Sequence, residues 1–254
     1  MRTIELTASQ VRTYKACKRL YELEYLEQLR PIEPYEAFEI GSAYHDKVEQ
    51  IINTGRFERT TEKTDAMAQA FQTFAAPQLD LVLAEQEFKI HLAYGVYLKG
   101  KIDGIQKNGI PVEHKTSGVT IDERYIHKLN WDEQVSIYML GLGVHELMYT
   151  VCQKPTIRQK QNETLEDYLL RCEAWYDESK MQVFKVVRSK EELEEKRREL
   201  IALAKEIRIQ KNWYCNPSNC KIMGCRYESI CLNYDPEYVI GFERKIRMNE
   251  ELSL

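Results

Sequence analysis

No run of about 18 apolar residues, the length a membrane-spanning helix needs, occurs in the 254-residue sequence, so no segment is expected to cross a bilayer. The opening stretch MRTIELTASQ has no apolar h-region and does not read as a secretory signal. The chain is therefore expected in the cytosol. Strong charge of either sign is also missing. A formal net charge of −4 offers no global attraction for nucleic acid, which confines any such binding to a local basic patch or to bound metal ions. Nor is the chain poor in apolar residues as disordered chains are: 43% hydrophobic and 30% charged is the composition of a folded globular protein. Its length allows one elaborated domain or two small ones. Cysteine, by contrast, is plentiful. Seven of them in a reducing compartment argue against a disulfide framework and for metal or cluster ligands wherever they crowd together.

The most informative stretch is KGKIDGIQKNGIPVEHKTS, Lys99 to Ser117. Two β-like runs, Tyr97–Gln106 and Ile110–Thr116, flank Lys107, Asn108 and Gly109, and Asn-Gly between such runs signals a hairpin. On a strand, Glu113 and Lys115 share one face and His114 points to the other. A strict two-residue turn would pair Asp103 with His114, whereas a three-residue loop with Gly109 left-handed pairs Asp103 with Glu113. The three-residue loop is the expectation. Two carboxylates side by side repel, so a hard divalent cation is their natural partner. The Lys115 ammonium could then orient a water or face the negative charge developing on a phosphate.

Around this hairpin the sequence alternates helix and strand. A first amphipathic helix from the Thr7–Ser9 cap to Pro31 would contain Cys17. A second, about Ala37 to Asn53 and closed by Gly55, carries small residues at 41 to 43 and then His45, which fits an interface histidine and a ligand equally well. Thr60 to Glu85 reads as a third helix that Pro77 would kink, and Glu85–Tyr94 as a strand entering the hairpin. A polar loop from Gly118 to Asn130 precedes a fourth helix, Trp131 to Tyr149, on which Gln134 and Tyr138 lie one turn apart. Strands at Tyr149–Lys154 and Met181–Val187 bracket a helix from Thr164 to Glu178. Ser189 to Lys211 is a long helix, salt-bridged along its length and basic at its C-terminal end. Cys215, Cys220, Cys225 and Cys231 then crowd one Gly/Pro/Asn-containing segment, as a zinc or iron–sulfur site would. Cys152 and Cys172 read as core, and Asp235 to Leu254 as a closing strand or helix.

Together these pieces resemble the RecB-like, iron–sulfur branch of the PD-(D/E)XK nuclease superfamily, which includes CRISPR adaptation nucleases and related phage-encoded exonucleases. The similarity runs from about Thr7 to Cys231, and the matching residues fall in family order. They are Cys17, the G-x-x-x-H of Gly41 to His45, Asp103, the E-x-K of Glu113 to Lys115, the Q-x-x-x-Y of Gln134 to Tyr138, and Cys220, Cys225 and Cys231. The resemblance implies an α/β fold, a restriction-endonuclease-like mixed central sheet flanked by helices. A helical iron–sulfur element of residues 1–35 and 189–254 would join the termini, with the nuclease core at 36–188. It implies Mg²⁺ or Mn²⁺ on His45, Asp103, Glu113 and the backbone carbonyl of His114, with Lys115 positioning the attacking water. Gln134 and Tyr138 would contact the DNA backbone or a water. It further implies a [4Fe–4S] cluster on Cys17, Cys220, Cys225 and Cys231. The C-x4-C-x5-C spacing is wider than the family's commoner one, and Cys215 offers a fourth local thiol that could make a self-contained structural Zn²⁺ site without Cys17. The expected activity is that of a metal-dependent DNA exonuclease acting on single strands or ends in recombination, repair or phage DNA processing, in a bacterial or phage-infected cytosol. A second copy or a recombination protein is a candidate partner. A site- or structure-specific endonuclease, and a non-catalytic DNA-binding subunit on the same fold, are the alternatives.

Overall fold

The computed structural model describes residues 3–33, 36–233, 241–245, 249 and 252. In chain order these form β1 (Ile4–Leu6), α1 (Ala8–Ala16), α2 (Lys18–Tyr21) running into a π turn at Glu22–Leu26, and β2 (Leu29–Pro31). Then come α3 (Glu36–Thr54), α4 (Lys63–Ala70), β3 (Leu81–Ala93), β4 (Val96–Gln106) and β5 (Pro111–Ser117). They are followed by α5 (Glu123–Leu129), α6 (Glu133–Leu142), β6 (Glu146–Gln153), α7 (Leu165–Ala174), β7 (Met181–Val187) and α8 (Lys190–Ile209). The chain closes with α9 (Pro217–Met223), α10 (Glu228–Asn233) and β8 (Phe242–Arg244). Two compact units result, one of residues 35–86 and 101–190, the other of residues 1–34, 87–100 and 191–254. No helix among the described residues is long and apolar enough to cross a membrane.

The first of these units is built on a mixed sheet. β5 pairs with β4 antiparallel and with β6 parallel, and β6 pairs with β7 antiparallel. Helices flank it because their apolar stripes need cover. Tyr44 and Val48 of α3, Met67 and Phe71, Val112 of β5, Cys152 of β6 and Cys172 of α7 meet in one buried cluster. Cys152 and Cys172 are core residues, both fully buried, and burial pushes the Cys152 thiol up to about 12. The predicted third helix stops early: after α4 and a π turn, a short 3-10 turn at Ala76–Gln78 holds Pro77, and Leu79 is extended. Leu81 to Glu85, expected as the end of that helix, is strand, and it continues into the expected strand from Glu85, so that β3 spans Leu81–Ala93. The predicted polar loop from Gly118 to Asn130 contains α5, started by Asp122, whose side chain accepts from the Tyr125 amide at 3.0 Å. The predicted fourth helix ends at Leu142 because Gly143 adopts a left-handed cap, φ +68°, a conformation glycine takes without steric cost.

The other unit gathers the chain's two ends. β1 lies parallel to the start of β4, Ile4 opposite Val96, and β2 lies antiparallel to β8. Leu23, Leu29, Tyr227 and Ile230 form its buried cluster. The predicted first helix is broken at Cys17, whose backbone is extended (φ −161°, ψ 118°). The Ala16 carbonyl freed by that break accepts from the side-chain amides of Asn216, at 3.0 Å, and Asn219, so the C-terminal segment supplies the cap α1 lacks. α8 buries Leu193, Leu200, Leu203, Ala204 and Ile207 along one stripe. Of its basic residues, Arg197 and Arg208 donate to the carbonyls of Leu92 and Gly95 at 2.6 and 3.1 Å. Lys196 pairs with Glu199 of the same helix. Of the expected closing segment Asp235 to Leu254, β8 is described and most of the rest lies outside the described residues.

Candidate active site

The hairpin between β4 and β5 sets the site's geometry. Gly104 stands opposite Val112 and Ile105 opposite Pro111, a register that continues to place Asp103 opposite Glu113. The connection is the three-residue loop: Gly109 is left-handed, φ +82°, and its amide donates to the Gln106 carbonyl at 2.8 Å. Asn108 Oδ1 takes the Ile110 amide at 3.1 Å, fixing the turn locally.

The two carboxylates meet different surroundings. Asp103 Oδ2 accepts from the His114 backbone amide at 2.8 Å, and Oδ1 lies 3.4 Å from His45 Nδ1 on α3. Burial would raise the Asp103 carboxyl, but the His45 contact and the nearby His114 and Lys115 outweigh it and bring it down to about 2. Glu113 is 2% exposed. Burial first, and the Asp103 charge second, push it up to about 8. Its Oε1 accepts from Lys115 Nζ and, at 2.8 Å, from Gln134 Nε2 on α6. Its Oε2 is buried with no hydrogen-bond partner. Burial would lower the Lys115 ammonium, yet Glu113 and Asp103 hold it above its ordinary value. Gln134 also donates to the Tyr138 hydroxyl at 2.7 Å. His45 thus contacts Asp103, Glu113 joins Lys115, Gln134 and Tyr138 in a second group, and the two groups face each other across the β4–β5 pairing. The His114 ring turns away, Nδ1 2.7 Å from Thr150 Oγ1 and its edge on Phe71, and burial brings it down to about 4.

Residues that the sequence reading passed over hold this arrangement. Asp132 caps α6 by accepting the Gln134 amide at 2.9 Å and takes the Tyr149 hydroxyl at 3.2 Å. An aspartate two residues before Gln134 at the start of a helical stretch was a usable capping signal. Nothing in the local sequence marks Thr150 or Tyr149, whose positions depend on β6 lying beside β5.

In the other unit Cys17, Cys215, Cys220, Cys225 and Cys231 are all free thiols. Cys17 Sγ accepts the Asn216 amide at 3.3 Å. Burial raises Cys225 and Cys231, and each is raised further by neighbouring cysteines, Cys17 among them in both cases. Cys220 is raised by burial and by Cys17 and Cys215. Among the described residues no three His, Cys, Asp or Glu side chains are already arranged to hold a metal ion.

A family model described as the PD-(D/E)XK nuclease superfamily matches residues 5–232. The chain belongs to this superfamily. Two solved structures are similar to it. One is the crystal structure of SSO0001, at 16% identity over 89% of this chain and 85% of that chain, with a TM-score of 0.47. The other is a phage related exonuclease from Haemophilus somnus 129PT, at 13% identity over 81% of this chain and 93% of that chain, with a TM-score of 0.43. The comparison with curated proteins gives no match. PD-(D/E)XK nucleases generally use divalent metals such as Mg²⁺. The donors of this PD-(D/E)XK chain fit such an ion: an unpartnered buried carboxylate oxygen on Glu113, opposite a second carboxylate, is hard oxygen donor capacity that no protein group satisfies.

Proposed function

We propose that the chain is a divalent-metal-dependent deoxyribonuclease of the RecB-like branch, an exonuclease on single strands or free ends. The observation that carries this reading is the Asp103–Glu113 pair with Lys115 bound to Glu113 and one Glu113 oxygen left unsatisfied. Asp103, Glu113, His45 and the His114 carbonyl would hold Mg²⁺ or Mn²⁺. When bound, the ion polarises the scissile phosphate and acidifies water. Lys115 holds the attacking water by its ammonium and faces the negative charge that builds on the phosphate oxygens. Gln134, donating to both Glu113 and Tyr138, keeps the Glu113 carboxylate in one orientation. Asp132 fixes the start of the helix that carries Gln134. A single catalytic centre suits one strand at a time, with Lys205 and Lys211, both exposed, available for phosphates. Arg208 is engaged by Gly95 instead.

The same reading gives residues 36–188 the nuclease role and residues 1–35 and 189–254 a cluster-binding role. Cys17, Cys220, Cys225 and Cys231 would hold a [4Fe–4S] cluster. Cys215, within electrostatic reach of Cys220 and Cys231, is the fourth ligand of the alternative zinc site. The test of activity uses linear and circular single-stranded DNA with Mg²⁺ or Mn²⁺ and with chelator. Metal-dependent release of nucleotides from the linear strand, with the circle intact, supports the exonuclease. Nicking of the circle makes the protein an endonuclease, and inert protein with retained DNA binding makes it a non-catalytic subunit.

A further inference from the structure

The catalytic residues leave α5 and the turn after it without a task. We propose that Trp131 is a nucleobase-stacking platform that positions single-stranded DNA at the Asp103–Glu113 centre, an inference that rests on the nuclease reading above. Trp131 is 77% exposed, and Val119 and Ile126 nearby in sequence are exposed too. Scattered exposed apolar residues are ordinary on a protein surface, so exposure alone decides nothing.

The way the tryptophan is held decides it. Arg188, buried, donates through Nη2 to the carbonyls of Leu129 and Asn130 at 2.7 and 3.1 Å and through Nε to Ser136 Oγ at 3.3 Å. The Trp131 amide donates to the Lys128 carbonyl at 3.0 Å, and on the other side Asp132 is tied to Gln134 and Tyr149. A large aromatic side chain thus points to solvent from a backbone clamped at both neighbours. A contact surface held in this way loses little entropy on binding.

Its place and its neighbours indicate the ligand. Three residues of chain span at most about 10 Å, and Gln134, three positions on, touches Glu113. After the acidic Asp122 and Glu123, α5 presents Arg124, His127 and Lys128, all exposed. Lys128 Nζ lies 6.0 Å from the centre of the Tyr125 ring. Tyr125 in turn lies within electrostatic reach of Lys115 and Asp132, which places α5 on the side of the proposed centre. Cations for phosphates beside an aromatic face for bases is the chemistry that binds single strands without regard to sequence.

The test measures binding of a fluorescein-labelled oligothymidylate, and of an abasic strand of equal length, in chelator so that no cleavage intervenes. Wild-type protein should prefer the base-bearing strand. Trp131→Ala should bind it about tenfold to a hundredfold more weakly and treat the two strands alike, while Trp131→Phe stays within about threefold of wild type. An Ala variant that keeps wild-type affinity and strand preference overturns the platform and leaves the nuclease reading standing. Unchanged DNA affinity with an altered sedimentation coefficient overturns it in favour of a self-association surface. A wild-type chain that binds neither strand, in chelator or with Ca²⁺ in place of Mg²⁺, removes the single-strand reading itself, and the platform with it.

Discussion

Asp103 and Glu113 show how far neighbours, and not residue type, set a carboxylate's behaviour. Both are acids on facing strands, Glu113 buried and Asp103 half-buried, yet Asp103 is drawn down to about 2 by His45 while Glu113 is raised to about 8 by burial and by Asp103 itself. A divalent cation between them would favour the charged form of both. Gln134 is the side chain that orients Glu113, so Gln134→Ala should lower kcat by roughly tenfold to a hundredfold with the thermal midpoint unchanged, as steady-state kinetics on a labelled strand would show. The pairing behind this geometry was legible in the sequence, because Asn108-Gly109 fixes the loop and the loop fixes the register. Asp132, Tyr149 and Thr150 were not, since they reach the site through strand order and through the helix that Asp132 starts.

At the scale of elements, the join between α3 and α4 rests on a buried ion pair. Lys47 Nζ lies 2.9 Å from Asp65 Oδ1 and also donates to the Glu58 carbonyl and Thr60 Oγ1 at 2.8 and 3.1 Å. Asp65→Ala strands the lysine charge and should cost about 3–5 kcal/mol in urea unfolding. Burial alone would raise Asp65, but Lys47 and the Thr60 and Thr61 amides hold it below its ordinary value. A lowered folded-state pKa stabilises above the unfolded value, near pH 4, and that contribution fades as pH falls through the folded value. The gap between wild type and Asp65→Asn should therefore narrow below about pH 4. In α1, Thr7 and Gln10 cap each other reciprocally, and Thr7→Ala should cost about 1 kcal/mol by the same measurement. Elements with a continuous apolar stripe, α3 and α8, were legible from periodicity. α5 was not, because only Leu129 of its residues is buried. The helix predicted through Glu85 failed because Leu81, Val82 and Leu83 suit a helical stripe and a strand alike, and pairing with β4 chose the strand.

For the whole molecule, the cysteines and the proposed catalytic carboxylates make separable claims. Anaerobically purified protein should be brown, with iron and acid-labile sulfide each near four per chain, and Cys17→Ser should bleach it and lower its thermal midpoint. Colourless protein with one zinc, tolerant of Cys17→Ser and disrupted by Cys215→Ser, would move the fourth ligand to Cys215. DNA affinity should fall as salt rises, since phosphate contacts release counterions, despite a net charge of −4. The mixed sheet and its flanking helices follow from the alternation of patterns in the sequence, whereas the gathering of Cys17 with residues 215–231 depends on a contact across most of the chain. The most direct measurement is cleavage of an end-labelled single strand with Mn²⁺ by wild type, Asp103→Ala and Lys115→Ala. Wild type should cut, and each variant should be slower by on the order of a hundredfold to a thousandfold while remaining folded. Undiminished cleavage by both variants would contradict the assignment of this site.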